Sequence, residues 1–141
     1  MISLRIAAAA LLLSAPLVSI GYAQSDVASG AADWSKAETI EIDLDSYSFT
    51  PKSLHLKQGS AYKLHFVNKA SKSHDFMAPE FFAALTLAPG DVAKVAEGEV
   101  ELAGGESADV KAVAAKAGKY SVKCSHFMHS TFGMTGEAVI E

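Results

Sequence analysis

The chain reads as an all-β protein, an antiparallel β-sandwich with one short helical insertion. Three observations predict this fold. Apolar and polar residues alternate with a period of two in a succession of short segments, glycine and proline punctuate the gaps, and a single stretch breaks the alternation. Of 141 residues, 50% are hydrophobic and 20% charged, which excludes both a disordered tail and a polytopic membrane protein. Twelve basic against sixteen acidic side chains give a formal net charge of −4. That balance supplies no basic surface for nucleic acid, so no nucleic-acid partner is expected.

The elements follow in order. Arg5 precedes an apolar stretch from Ile6 to Ile20, and Gly21-Tyr22-Ala23 places small residues where a signal peptidase reads them. Residues 1–23 are therefore expected to be a signal peptide cleaved after Ala23, with a periplasmic destination. The alternative is a membrane anchor, but Ser14, Pro16 and Ser19 interrupt a stretch already short for a helix of about 20 residues. No membrane span is expected after cleavage. With no twin arginine, the chain is expected to cross unfolded and to acquire any metal outside.

Residues 24–37 are small and polar around Trp34, the composition of a flexible N-terminal arm. Alternation then begins, and residues 38–141 make one domain. Ile40, Ile42 and Leu44 face one way, and Glu41, Asp43 and Asp45 the other. Leu54 and Leu56 oppose His55 and Lys57; Tyr62, Leu64 and Phe66 oppose Lys63 and His65; Gly59 marks the turn between these segments. Farther on, Ala108, Val110 and Ala112 alternate with Asp109 and Lys111, and Tyr120, Val122 and Cys124 alternate with Lys119, Ser121 and Lys123. Ala138 and Ile140 close the series. The exception runs from Pro79 to Leu85, where proline at the first turn and a block of Phe and Ala suit a short helix ending before Pro89-Gly90. His55 and His65 are expected at the surface, and Met77, Phe81, Phe82, Phe127 and Phe132 in core or rim packing.

Cysteine usage brings in chemistry. An exported chain with only Cys124 forms no internal disulfide, so this thiol is buried, reactive or bound to a metal. From Cys124 the sequence runs Cys-Ser-His-Phe-Met-His-Ser-Thr-Phe-Gly-Met, with His129 five positions after Cys124 and Met134 five after His129. Thiolate, imidazole and thioether thus share one loop between two strands. Soft sulfur ligands select copper, and two histidines with a cysteine and a weak axial methionine form the blue-copper arrangement. His74, just beyond the strand ending near Asn68, is the candidate second histidine. Read blandly, Cys124 and Met134 are core packing and His74 an ordinary loop histidine.

At these residues the chain resembles the cupredoxin family, of the azurin and plastocyanin type. The resemblance spans about residues 38–141. It rests on Tyr47-Ser48-Phe49-Thr50-Pro51 with Leu54 and Gly59, on Phe66-Val67-Asn68 through Ser73-His74-Asp75-Phe76, on Ala117-Gly118-Lys119-Tyr120, and on Cys-x4-His-x4-Met ending in Gly133-Met134. It implies a Greek-key sandwich and copper ligands His74, Cys124, His129 and Met134, with one copper per chain cycling between Cu(I) and Cu(II). Two departures stand out. Asp75 replaces the asparagine that commonly follows the first histidine, and its carboxylate either lies near the metal or turns outward to water. In the ligand loop, the usual proline and glycine give way to His126, Phe127 and Met128.

The leading expectation is a monomeric electron carrier that meets a transient redox protein partner through an apolar patch of Phe127, Phe132 and Phe82 around His129. The second is a copper-handling protein that exchanges metal with a copper donor or acceptor protein. There an outward-pointing His126 and Met128 would form a weaker second copper site for Cu(I). A third is structural zinc on Cys124, His126, His129 and His74, which leaves Met134 without a role. An enzyme is not expected, because copper oxidases need further copper centres and domains, and a dinuclear centre needs a second cysteine.

Overall fold

Residues 32–141 are described by a computed structural model. The expected signal peptide and residues 24–31 of the arm lie outside the described residues. At the end of the arm, Trp34–Lys36 form a 3-10 turn, capped by Asp33, whose Oδ1 accepts from the Ser35 N–H at 3.1 Å.

Ten strands and one helix follow: β1 (Glu38–Asp45), β2 (Ser48–Thr50), β3 (Ser53–Leu56), β4 (Ala61–Asn68), β5 (His74–Met77), α1 (Pro79–Ala83), β6 (Leu85–Leu87), β7 (Glu99–Leu102), β8 (Ser107–Ala114), β9 (Gly118–Lys123) and β10 (Thr135–Ile140). They form two five-stranded sheets, ordered β2-β1-β4-β8-β6 and β3-β10-β9-β5-β7. This is the expected β-sandwich. Most pairings are antiparallel, but β1 runs parallel to β4 and β3 parallel to β10. A parallel pair needs a crossover in place of a hairpin. Between β1 and β4 the chain supplies one by visiting the opposite sheet as β3.

The alternation decides what the sandwich buries. Ile42, Leu44, Leu64, Phe66, Val110 and Ala112 of the first sheet meet Leu54, Leu56, Phe76, Val100, Val122, Ala138 and Ile140 of the second in one continuous core. Each fully buried Val, Leu, Ile or Phe among them stabilises by about 1.5–3 kcal/mol relative to exposure. His55 is exposed as expected, whereas His65 is half-buried and its Nδ1 lies 2.6 Å from Asp109 Oδ1 on the neighbouring strand β8.

Pro79 opens α1 at its first position, and Phe81 and Phe82 both turn into the core. The helix ends at Ala83, earlier than expected. Leu85 instead pairs with Ala114 as the first residue of β6, so its backbone groups enter the sheet. Phe82 is 5% exposed and packs on Phe66, Phe76 and Phe81, which removes it from the expected apolar patch.

Candidate metal centre

Two pieces of chain converge at one end of the sandwich. The first is the 69–73 loop leading into His74, the opening residue of β5. Asn68, last in β4 and 1% exposed, holds this loop from inside. Its side-chain amide donates to the carbonyls of Lys72 at 2.8 Å and Leu102 at 3.0 Å, and its Oδ1 accepts from the Ala70 N–H at 3.0 Å. The turn after β7 presses on the same loop, since a Cβ on Gly104 would collide with the Ser71 carbonyl. His74 therefore enters its strand in one position.

The second piece is the loop between β9 and β10. Its ends are tied by the Cys124 N–H donating to the Met134 carbonyl at 3.1 Å, and its middle by the Met134 N–H donating to the His129 carbonyl at 3.0 Å. Gly133, with φ +107°, takes a backbone turn that side chains rarely adopt. Met128 takes φ +65° without being glycine, a strained position of the kind that gathers at functional sites.

These supports bring His74, Cys124 and His129 together. The thiol sulfur lies 3.9 Å from His74 Nδ1 and 3.4 Å from His129 Nδ1, and one donor atom from each of the three residues falls within 4.8 Å of the others. Metal–sulfur bonds of ~2.3 Å and metal–nitrogen bonds of ~2.0 Å, at tetrahedral to trigonal angles, separate sulfur and nitrogen donors by about 3.5–3.7 Å. The residues present thus fit a thiolate–imidazole metal. Met134, the fourth expected residue, is wholly buried and joined by its backbone to both Cys124 and His129.

Burial sets the protonation of the donors. It is the main cause that holds His74 below its ordinary pKa, with repulsion from His129 and His126 adding to it. His74 thereby presents a neutral ring with a nitrogen lone pair. Burial likewise pushes the Cys124 thiol up, so without a metal the sulfur keeps its proton at neutral pH.

Asp75 does not turn outward to water. It is 0% exposed; its Oδ1 accepts from the Ser125 N–H at 2.8 Å and its Oδ2 accepts from the Ser125 hydroxyl. This pins the residue after Cys124 to the residue after His74. His126 is half-exposed and leans toward β7. Its Nε2 lies 3.1 Å from both Glu101 carboxylate oxygens and 3.7 Å from Asp75 Oδ2, and its ring stacks on His129 with centroids 5.4 Å apart. The carboxylates attract the imidazole and fold it back against β7. Glu101 had no place in the sequence reading, although Glu99-Val100-Glu101-Leu102 alternates as a strand should.

The rim is apolar. Phe127 is 90% exposed and Phe132 60% exposed, and Tyr47 sets its ring edge-on to both His129, at 5.4 Å, and Phe132, at 5.3 Å. Tyr47 thus takes the place expected of Phe82.

A two-sheet sandwich with cysteine and two histidines gathered at one end defines a class of copper-binding, electron-transfer folds. The sequence profile of the cupredoxin-like domain matches residues 7–140, and the chain belongs to that family. No curated protein matches it. Dithionite-reduced auracyanin from the photosynthetic bacterium Roseiflexus castenholzii is similar in fold, with a TM-score of 0.56 at 19% identity over 74% of this chain and 98% of that one. Auracyanin B is similar at a TM-score of 0.53 and 22% identity, covering 74% of this chain and 89% of its own. A multicopper oxidase from Campylobacter jejuni, a metallo-oxidase, gives 0.55 at 15% identity over 74% of this chain, which spans 30% of the oxidase. Among the described residues no helix is long and apolar enough to cross a membrane.

Proposed function

We propose that this chain is an exported, periplasmic, monomeric electron carrier holding one copper through His74, Cys124, His129 and Met134. The observation that carries the reading is the approach of two imidazole nitrogens to one buried thiol, at 3.4 and 3.9 Å, under a loop closed by its own backbone. When bound, the metal supplies a one-electron couple between Cu(I) and Cu(II). The protein's own work is positional. His74 is fixed by the Asn68 loop, Cys124 by the end of β9, and His129 by the hairpin bond to Met134, so little rearrangement is left to accompany a change of charge. A buried, pre-set donor set of this kind suits electron transfer better than substrate turnover, and the reading assigns no enzyme activity.

His129 is the donor nearest the surface, and Tyr47, Phe127 and Phe132 surround it with exposed aromatic area. Such a patch supports weak, transient docking of a redox protein. Copper handling through a soft His126–Met128 pair draws less support, because the His126 nitrogen is engaged by carboxylates. The test is an optical and EPR spectrum of the mature protein after addition of Cu(II). A thiolate-to-copper charge-transfer band in the visible region is expected in wild type and lost in Cys124→Ser, and persistence of the band in the variant would remove Cys124 from the site.

A further inference from the structure

The ring of His129 rests on a side chain that supplies no copper donor in the reading above. The turn His126-Phe127-Met128-His129 is closed by the His129 N–H donating to the His126 carbonyl at 3.1 Å, with Met128 at φ +65°. It lays the two imidazoles against each other, with centroids 5.4 Å apart and planes 19° from parallel, an offset stack. His126 is in turn fixed from another strand. Its Nε2 stands 3.1 Å from both carboxylate oxygens of Glu101 on β7, the geometry of one N–H shared between two acceptors. Among the described residues Glu101 forms no ion pair with lysine or arginine, and His126 is the group that its carboxylate meets. Leu102, the next residue along β7, lies opposite His74 on β5. The strand that registers one histidine donor thus also reaches, through Glu101 and His126, the ring of the other.

His129 needs such support more than His74 does. His74 is 3% exposed and opens a strand, whereas His129 lies in a loop and is half-buried. A metal-bound imidazole is ordinarily oriented by a hydrogen bond at its second nitrogen. Among the described residues the polar contact of the His129 ring is with the Cys124 sulfur, and its other neighbours are rings, His126 in a stack and Tyr47 edge-on. We propose that Glu101 and His126 are positioning residues for His129: Glu101 holds His126, and the stacked His126 ring holds His129 in the orientation from which it binds the metal. The proposal deepens the reading above and rests on it for His129 being a copper ligand. The role is one of reach and not of charge. Glu101→Asp keeps the charge but draws the carboxylate back by a methylene, whereas Glu101→Gln loses the charge and keeps an oxygen at the same reach to accept from His126.

Two measurements on the folded protein test it. Without metal, nuclear Overhauser contacts between the ring protons of His126 and His129 are expected in wild type and Glu101→Gln, and their loss in Glu101→Asp and Glu101→Ala. With Cu(I) bound, transfer of the metal to excess bicinchoninate is expected to be about fivefold faster in Glu101→Asp, Glu101→Ala and His126→Ala than in wild type, and close to wild type in Glu101→Gln. Combining Glu101→Ala with His126→Ala should be no faster than either alone, because the pair acts as one unit. Ring contacts or release rates that Glu101→Ala leaves unchanged overturn the proposal. So does wild-type behaviour of Glu101→Asp together with fast release from Glu101→Gln, which would make the role electrostatic. Ring contacts that Glu101→Asp abolishes, in a protein that shows no thiolate band with Cu(II), would overturn the electron-carrier reading and support the hold of Glu101 on this loop.

Discussion

Replacing Asp75 with Asn tests the departure from the family pattern most directly. An ionised carboxylate accepts hydrogen bonds and donates none, and Asp75 accepts from Ser125 on both oxygens. One of its oxygens lies within 4.8 Å of the Cys124 sulfur. At that distance, with an effective dielectric of ~20, removing one negative charge changes the energy of one added positive charge by about 3.5 kcal/mol. For a one-electron couple this corresponds to about 150 mV. The two Ser125 donors spread the charge, so the expected rise in reduction potential for Asp75→Asn is about 50–150 mV. The sign follows because a nearby carboxylate favours the more positive oxidation state and the amide does not. Asparagine keeps the shape and can still accept from the Ser125 N–H, so the fold should survive, which a thermal melt checks. Spectroelectrochemistry at one metal per chain reads the potential. A shift below about 20 mV, or one toward lower potential, would refute the electrostatic reasoning.

The remaining predictions concern the donors themselves. Because burial keeps the Cys124 thiol protonated at neutral pH, copper uptake at pH 7 should release close to one proton per chain, measured with a weakly buffered indicator, and Cys124→Ser should release none. Met134→Ala should retain copper while altering its spectrum and potential, whereas His129→Ala should lose most of the affinity; equal loss in both would place Met134 among the strong ligands. His74 is held below its ordinary pKa of 6.5, so the folded chain binds fewer protons than the unfolded one just below that pH. Metal-free protein should therefore lose stability as pH falls from about 7 through 6.5 and below, and His74→Gln should flatten that part of the melting curve.

Much of this was legible in the sequence because period two survives wherever one face of a strand is wet. Ile42 and Leu44, Leu64 and Phe66, and Val110 and Ala112 are buried as their alternation demands. Among the strands that escaped notice, β7 alternates over its four residues, whereas in others the signal is absent or short. β5 is buried at His74, Asp75 and Phe76 alike, so it shows no alternation, and β6 has three residues. The Cys124 to Met134 loop was readable because its donors are close in sequence. Glu101, by contrast, reaches His126 only through the register of β5 on β7, a long-range pairing that no local pattern encodes. Asp75 was ambiguous for the same reason, since whether a carboxylate meets water or Ser125 depends on which loop folds over it.

That covering loop gives the site its two unlike sides. His74 opens β5 pointing toward Cys124, so Asp75, the next residue, falls on the opposite face, where a strand of a sandwich would ordinarily meet solvent. The chain leaving Cys124 folds over that face, and Ser125 and His126 close on Asp75 and Glu101. The buried carboxylate of Asp75 is thereby placed behind the thiol, while the aromatic rim of Tyr47, Phe127 and Phe132 gathers at His129. A partner docking on the rim meets apolar surface and the His129 imidazole, and does not touch the buried Asp75 carboxylate. The potential of the site can then be set by Asp75 and its neighbours without changing the surface that a partner must recognise. Substitutions behind the thiol should act on the couple, those on the rim on docking, and this separation is what a strand two residues wide in its alternation makes possible.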